Sequence, residues 1–350
     1  MKRKGNLYEQ IYSMSNLRLA YKKARKGKRN QYGVRVFARD IEGNLLKLHY
    51  ALKNKTYKTP PYTGFKIFDP KERDILRLPF PDRVVHHAIM NIMESIFVST
   101  FTADTYSCIK KRGIHAASKA VRRALRDEAN TKYCLKLDIK KFYQNIDHGI
   151  LKQLLRKKIK DKDLLWLLDE IIDSAEGVPI GNYLSQYFAN FYLSYFDHYI
   201  KEVLRVRYYF RYADDMVFLA SNKPHLHWIL SDMRRYLSDE LKLTLKANYQ
   251  VFPVAARGID FVGYVHFTYT HVLLRPSIKR RFARMLVINP NPQSIASYMG
   301  WLSHCNSNNL TNKLLHNGAY SKNRNKSVHR NRSGSKHRYG PSSARSIIPV

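Results

Sequence analysis

Acidic residues are scarce in this 350-residue chain: 27 Asp and Glu stand against 62 Lys and Arg, a formal net charge of +35. A surplus that large repels itself in the compact state unless a polyanion is usually at hand. Nucleic acid is the first partner it suggests, an anionic membrane surface the second. Cysteine is rare too, and Cys108, Cys134 and Cys305 are odd in number and far apart, which suits neither a disulfide framework nor paired zinc ligands. Long apolar runs are missing. No stretch approaches the roughly 18 residues needed to span a bilayer, and Met1-Lys2-Arg3-Lys4 leads into no apolar signal core. The expectation is a cytoplasmic protein with no membrane partner.

What is present suffices for a sizeable core: 44% of residues are hydrophobic and 25% charged, enough for two or three subdomains. Residues 1–30 hold Lys2, Arg3, Lys4, Arg18, Lys22, Lys23, Arg25, Lys26, Lys28 and Arg29 with Glu9 as the sole acid. They read as a basic helical arm lying on phosphates or solvent. Helix and strand periodicities alternate from Val34 to about Leu274 without a long linker or fixed repeat. Residues 319–350, rich in Ser, Asn, Arg and Lys and without an acid, read as a disordered basic tail.

Where carboxylates are few, their placement is informative. In Tyr133-Cys134-Leu135-Lys136-Leu137-Asp138-Ile139, alternation puts Tyr133, Leu135, Leu137 and Ile139 on one strand face and sends Asp138 to the other, near the strand's end. In Tyr208 to Leu219, two strand-like runs flank Ala213-Asp214-Asp215, the pattern of a hairpin with two acids at its tip. Taken alone, the Asp pair reads as a solvated turn and Asp138 as the cap of a helix beginning near Lys140. If the hairpin pairs beside the Asp138 strand, three carboxylates converge, and their repulsion invites hard divalent cations.

Tyr212-Ala213-Asp214-Asp215 resembles the YxDD box of reverse transcriptases, here a YADD motif, and Leu137-Asp138-Ile139-Lys140-Lys141-Phe142-Tyr143 resembles their first catalytic aspartate motif. Between them, Gly177-Val178-Pro179-Ile180-Gly181-Asn182-Tyr183-Leu184-Ser185-Gln186 is similar to the family's template and nucleotide helix motif. Gly258 to Tyr264 resembles the primer grip, and Lys71 to Pro79 with Asp82 to Ile89 resembles the fingers motifs. The resemblance runs in order from about Phe68 to Leu315. Within the family, Ile180, Gly181, Ser185 and Gln186 are most similar to enzymes of bacterial and phage diversity-generating retroelements, where group II intron enzymes usually have Gln-Gly-x-x-x-Ser-Pro. The stretch Gly300 to Leu310 is similar to their thumb.

The resemblance implies an α+β right-hand polymerase: fingers at 31–132, palm at 133–270 with a fingers-associated insertion near 148–176, and a short helical thumb at 271–318. It implies RNA-directed DNA synthesis, error-prone at adenines, in which a template-repeat RNA is copied for mutagenic retrohoming. The partners would be RNA template, RNA–DNA hybrid, deoxynucleoside triphosphates and an oligomeric accessory variability determinant protein, in a bacterial or phage-infected cell. Two Mg2+ ions, replaceable by Mn2+, would be held by Asp138, Asp214, Asp215 and the Ile139 carbonyl. Tyr143 would pack under the sugar, while Lys71, Arg73, Arg77, Ile180 and Gly181 would meet the incoming nucleotide. Arg112, Gly113, Arg122, Gln186, Gly263, Tyr264, Lys279 and Arg280 would contact primer and template.

Other readings of the residues stay open. Tyr143 can also be read as an ordinary core tyrosine, Lys71 and Arg73 as a solvated strand edge, and Lys119, Arg122, Arg123 and Arg126 as a solvated helix face. His86 and His87, with no third donor nearby, read as packing residues. The surroundings of Lys246 match the family too loosely to assign it the proton of the departing pyrophosphate. A retron-like or phage-defence reverse transcriptase, and a non-catalytic RNA-binding, maturase-like protein, are the alternatives to the diversifying enzyme.

Overall fold

The computed structural model describes residues 3–68, 72–269 and 271–316, without the side chains of Arg73 and His316. The first helices are α1 (Tyr8–Tyr12), α2 (Met14–Ala24), α3 (Tyr32–Phe37) and α4 (Ile41–Lys53). Ser13 caps α2 by accepting from the Asn16 N–H, and Asp40 caps α4 by accepting from Gly43 N–H. Strands β1 (Thr63–Ile67) and β2 (Arg73–Arg77) pair antiparallel, with Ile67 opposite Arg73. Two helices follow, α5 (Phe80–Val98) and α6 (Ile114–Ala124).

The segment expected to be a cationic arm is corrected here. Tyr8, Ile11, Leu17, Ala20, Tyr21 and Ala24 are buried, and α1 and α2 pack on α5, while Arg18, Lys22 and Lys23 remain exposed. The apolar stripe sits at helical spacing between the cations, so the charge balance hid an amphipathic pair.

Strand β3 (Tyr133–Asp138) leads to α7 (His148–Lys158), α8 (Lys162–Ile172), α9 (Tyr183–Tyr192) and α10 (Ser194–His198). Next come β4 (Tyr208–Tyr212), β5 (Asp215–Ala220), α11 (Lys223–Leu241), β6 (Gln250–Pro253), α12 (Val254–Arg257) and β7 (Ile259–Phe261). The main sheet has the order β4-β5-β3-β6, antiparallel throughout. Its register runs from Tyr133 opposite Ala220 to Asp138 opposite Asp215. Leu135, Leu137, Met216 and Phe218 belong to the core, with Leu226, Ile229, Met233 and Leu237 of α11. Because side chains alternate along a strand, a slip of one residue would exchange these for Lys136 and Asp138. The apolar pattern therefore fixes which carboxylates face each other.

The described chain divides into two compact units, 1–262 with 266–270, and 263–265 with the residues from 271 onward. The second holds most of β8 (Tyr264–His266), then β9 (Val272–Leu274), α13 (Pro276–Ile288), α14 (Pro292–Leu302) and α15 (Asn308–Thr311). Its core is aromatic: Phe282 stacks on Tyr298 with centroids 4.6 Å apart, and Tyr264 packs on Trp301. The tail expected at 319–350 lies outside the described residues.

Leu17→Ala tests the packing of the first helices. It should cost about 2–5 kcal/mol of unfolding free energy, as for other buried Leu truncations, read from urea unfolding. A detached arm would leave the midpoint unchanged.

Candidate active site

The end of β3 is gripped from both sides. Asp215 of β5 lies opposite Asp138 on one side. On the other, the Lys246 N–H donates to the Asp138 carbonyl at 2.9 Å and the Lys140 N–H to the Thr244 carbonyl at 2.8 Å. These bonds flank the Ile139–Leu245 bridge and leave the Ile139 carbonyl out of that ladder. Lys246 Nζ donates to Asp138 Oδ2, whereas Asp138 Oδ1 is buried and accepts no hydrogen bond. Lys246, left unassigned in the sequence, thus touches one of the three aspartates.

The β4–β5 hairpin turns in two residues, with Tyr212 opposite Asp215. Ala213 takes a left-handed φ of 55°, a conformation that costs an L-residue about 1–2 kcal/mol. Asp214 follows it. Burial first, and the Asp138 carboxylate second, hold the Asp214 carboxyl well above the usual carboxylate range. Asp215 Oδ2 faces Lys136 Nζ at 3.9 Å. The three-way convergence expected from the sequence is therefore incomplete. Asp138 and Asp214 interact directly, but among the described residues no three carboxylate, imidazole or thiol groups are arranged to hold an ion. Two lysines instead supply positive charge to Asp138 and Asp215. The donor set still fits Mg2+ or Mn2+: these are hard oxygen ligands, and Asp138 keeps one buried acceptor without a donor.

Tyr143 reaches the same place through a 3₁₀ turn, Phe142–Asn145, that begins after Lys141 at a left-handed φ of 45°. Its hydroxyl titrates far above the ordinary tyrosine range because of burial first, then Cys108 and Asp214. The Val178 N–H donates to the Tyr143 carbonyl at 2.8 Å. At Gly177, with φ 59°, a Cβ would lie 2.5 Å from the Gln144 carbonyl oxygen, so only glycine lets the two loops pack. Gly181 is held as tightly, since at its φ of 120° a Cβ would lie 2.8 Å from the Leu76 carbonyl oxygen, and the Leu76 N–H donates to the Ile180 carbonyl at 3.0 Å. The Ile180–Gly181 loop and β2 are thus joined.

Arg77 ends β2 and is exposed. Burial first, then Arg83 and Arg77, hold the Lys28 ammonium below its usual range, which marks a cationic cluster beside that strand. Arg73 lies on β2 with its side chain undescribed, and Lys71 lies outside the described residues. Gln186 is exposed on α9. Lys119, Arg122, Arg123 and Arg126 are exposed, while Ala117, Val121, Ala124 and Leu125 are buried. His86 is buried and pushed down to about 3 by burial and then His87; His87 stacks on Tyr183.

Three expected contacts with primer or template are corrected. The Tyr264 side chain is fully buried and its hydroxyl donates to the Trp301 carbonyl at 3.1 Å, so it is a core residue of the second unit. Adjoining Gly263 is buried as well, where a Cβ would run into the Trp301 ring. Arg112 donates to the carbonyls of Thr102 at 2.6 Å and Thr105 at 2.9 Å, so its guanidinium ties down a loop; Gly113 starts α6 at φ 126°. Lys279 and Arg280 are exposed on α13 of the second unit.

Sequence reasoning missed a buried ion pair behind the turn. Arg211 and Asp197 are both 0% exposed and meet at 2.5 Å. The available signal was an arginine in an aromatic strand and an aspartate in Tyr195-Phe196-Asp197, each too polar for its setting unless paired with the other.

Residues 69–266 match the family described as reverse transcriptase (RNA-dependent DNA polymerase). This chain belongs to that family. RNA-directed DNA polymerase activity and RNA-template binding are what reverse transcriptase membership carries, and it puts the α+β fold expected from the sequence in the right-hand polymerase class. The reverse transcriptase is 26% identical over 285 residues to Protein YkfC of Escherichia coli K12, covering 67% of this chain and 72% of that protein. It is 21% identical over 299 residues to the group II intron-encoded protein LtrA of Lactococcus lactis, covering 64% and 49%. Among solved structures, telomerase from Candida albicans with a telomeric RNA fragment gives a TM-score of 0.49 at 12% identity, covering 68% of this chain and 52% of that one. The chain thus spans about half the length of LtrA and of that telomerase.

Arg211→Met would leave the Asp197 carboxylate buried without its ion-pair partner. It should destabilise the fold by about 3–5 kcal/mol in denaturant titration, and Arg211→Met with Asp197→Leu should recover much of the loss. Equal stability of Arg211→Met and the parent would contradict the pairing.

Proposed function

We propose that this reverse transcriptase is the error-prone polymerase of a diversity-generating retroelement, extending a primer along a template-repeat RNA with two divalent cations. The observation that carries the catalytic part is the register that sets Asp138 opposite Asp215, with Asp214 beside them on the hairpin turn. Asp138, Asp214 and the Ile139 carbonyl would hold the cations, with Asp215 contributing from the side. When bound, Mg2+ supplies activation of the primer hydroxyl and charge stabilisation of the leaving pyrophosphate.

The protein's own groups do the rest. Tyr143, next to Asp214, walls the sugar site and excludes a ribose 2′-hydroxyl. Arg77, with Lys71 and Arg73, neutralises the triphosphate. The Lys119, Arg122, Arg123 and Arg126 face takes phosphates of the duplex, with Lys279 and Arg280 of α13 doing the same along the hybrid. On this reading residues 31–132 serve as fingers, 133–270 as palm and 271–318 as thumb. The diversifying assignment rests on Ile180, Gly181, Ser185 and Gln186, where an apolar Ile180 meets the nascent pair in place of a hydrogen-bonding Gln and loosens base selection. An oligomeric accessory variability determinant protein is the expected partner, and the bacterial cytoplasm the expected compartment. Similarity to LtrA favours a second reading, an enzyme of the group II intron type.

Primer extension on a primed RNA in Mg2+ tests the catalytic part. Asp214→Asn, or EDTA with the parent, should lower incorporation by about 100-fold or more; equal product from parent and variant would contradict the metal assignment, and RNA binding with no product from either would favour a non-catalytic, maturase-like protein. Sequencing tests the rest: errors should concentrate opposite template adenine and decline in Ile180→Gln. Accurate copying by the parent would keep the polymerase and favour the intron-type, retron-like or phage-defence readings.

A further inference from the structure

The Asp214 turn is held from behind by polar side chains that the chemistry above does not use. Asp197 of α10 accepts from Tyr209 Oη at 2.7 Å, Arg211 Nε at 2.7 Å and Thr105 Oγ1 at 2.9 Å, as well as from the far nitrogen of the Arg211 fork. The other Arg211 terminal nitrogen donates to Asn190 Oδ1 at 3.1 Å and to the Ala213 carbonyl at 3.0 Å. Asn190 of α9 donates to the Ser107 carbonyl at 2.8 Å, and Ser107 Oγ donates back to Asn190 Oδ1 at 2.9 Å. Ser107 Oγ also accepts from the Ala213 N–H at 3.1 Å.

Both backbone polar groups of Ala213 are therefore fixed by this network, and Ala213 is the residue whose left-handed φ aims Asp214. Left-handed backbone at a non-glycine residue persists only where its surroundings over-determine it. Here they do, from three directions: the Thr105–Ser107 loop, α9 and α10. The loop is itself tied by Arg112, and α9, which carries Asn190, begins just after the Gly181 loop. Lysine could keep the charge opposite Asp197, but it has no planar fork to reach the Ala213 carbonyl at the same time.

We propose that Ser107, Asn190, Asp197 and Arg211 are positioning residues that lock the Ala213 backbone and so aim the Asp214 carboxylate at the cation site, an inference that rests on the polymerase reading. None of them touches a reacting atom. The test compares parent, Ser107→Ala, Arg211→Lys and Asp214→Asn as full-length proteins. Thermal unfolding and primer–template affinity are read first, then Mn2+ binding to the primer–template complex by electron paramagnetic resonance, then incorporation against Mg2+ concentration. Ser107→Ala and Arg211→Lys should keep primer–template affinity and the KM for deoxynucleotide within about twofold, yet weaken Mn2+ binding severalfold and lower kcat by about tenfold or more. Should Arg211→Lys fail to fold, Ser107→Ala, which lacks one hydroxyl, decides. A folded Ser107→Ala with parental Mn2+ affinity, Mg2+ dependence and kcat overturns the inference while leaving the polymerase reading intact. A parent that neither binds Mn2+ nor differs from Asp214→Asn overturns both.

Discussion

The antiparallel register of β3 against β5 is the constraint on which the rest depends. It is set by apolar residues: the observed pairing of Leu135 with Phe218 and of Leu137 with Met216 buries all four, and a slip of one residue would turn them to the opposite face. The same pairing puts Asp138 opposite Asp215 and Asp214 just beyond, a crowding of like charge that burial makes worse. The fold thus uses hydrophobic energy to hold an electrostatic arrangement that would otherwise fly apart. The response of the chain is visible in Lys246 on Asp138 and Lys136 facing Asp215.

A second tier of structure turns that register into a site. Gly177 and Gly181 let two loops come within backbone contact of the Tyr143 turn and of β2. Behind the hairpin, a buried arginine and aspartate with Asn190 and Ser107 hold the turn that the sheet only approximately positions. Buried ion pairs seldom add net stability over apolar packing, so the expense of burying Arg211 and Asp197 is better explained by a geometry that must be held than by the fold's need for energy.

How much of this was legible in the sequence depended on range. Local signals carried well: the alternation ending at Asp138 and the hairpin around Ala213. Residues whose meaning depends on distant partners did not. Arg211 and Asp197 are 14 positions apart and lie on different elements, and no periodicity links them. Lys246 meets Asp138 across 108 positions. Tyr264 looked available because its motif was read by resemblance, yet an aromatic beside Trp301 packs inward. In residues 1–30 the density of Lys and Arg masked the apolar face that binds α5.

The central claim, that the β3 end and the hairpin turn form one two-cation site, is tested most directly by a structure of the protein with primer, RNA template, a non-hydrolysable deoxynucleotide and Mn2+, located by anomalous scattering. The account predicts two Mn2+ peaks about 3.5–4 Å apart between Asp138 and Asp214, with Lys246 withdrawn from Asp138. Nucleic acid and nucleotide bound with no Mn2+ at those carboxylates would contradict it.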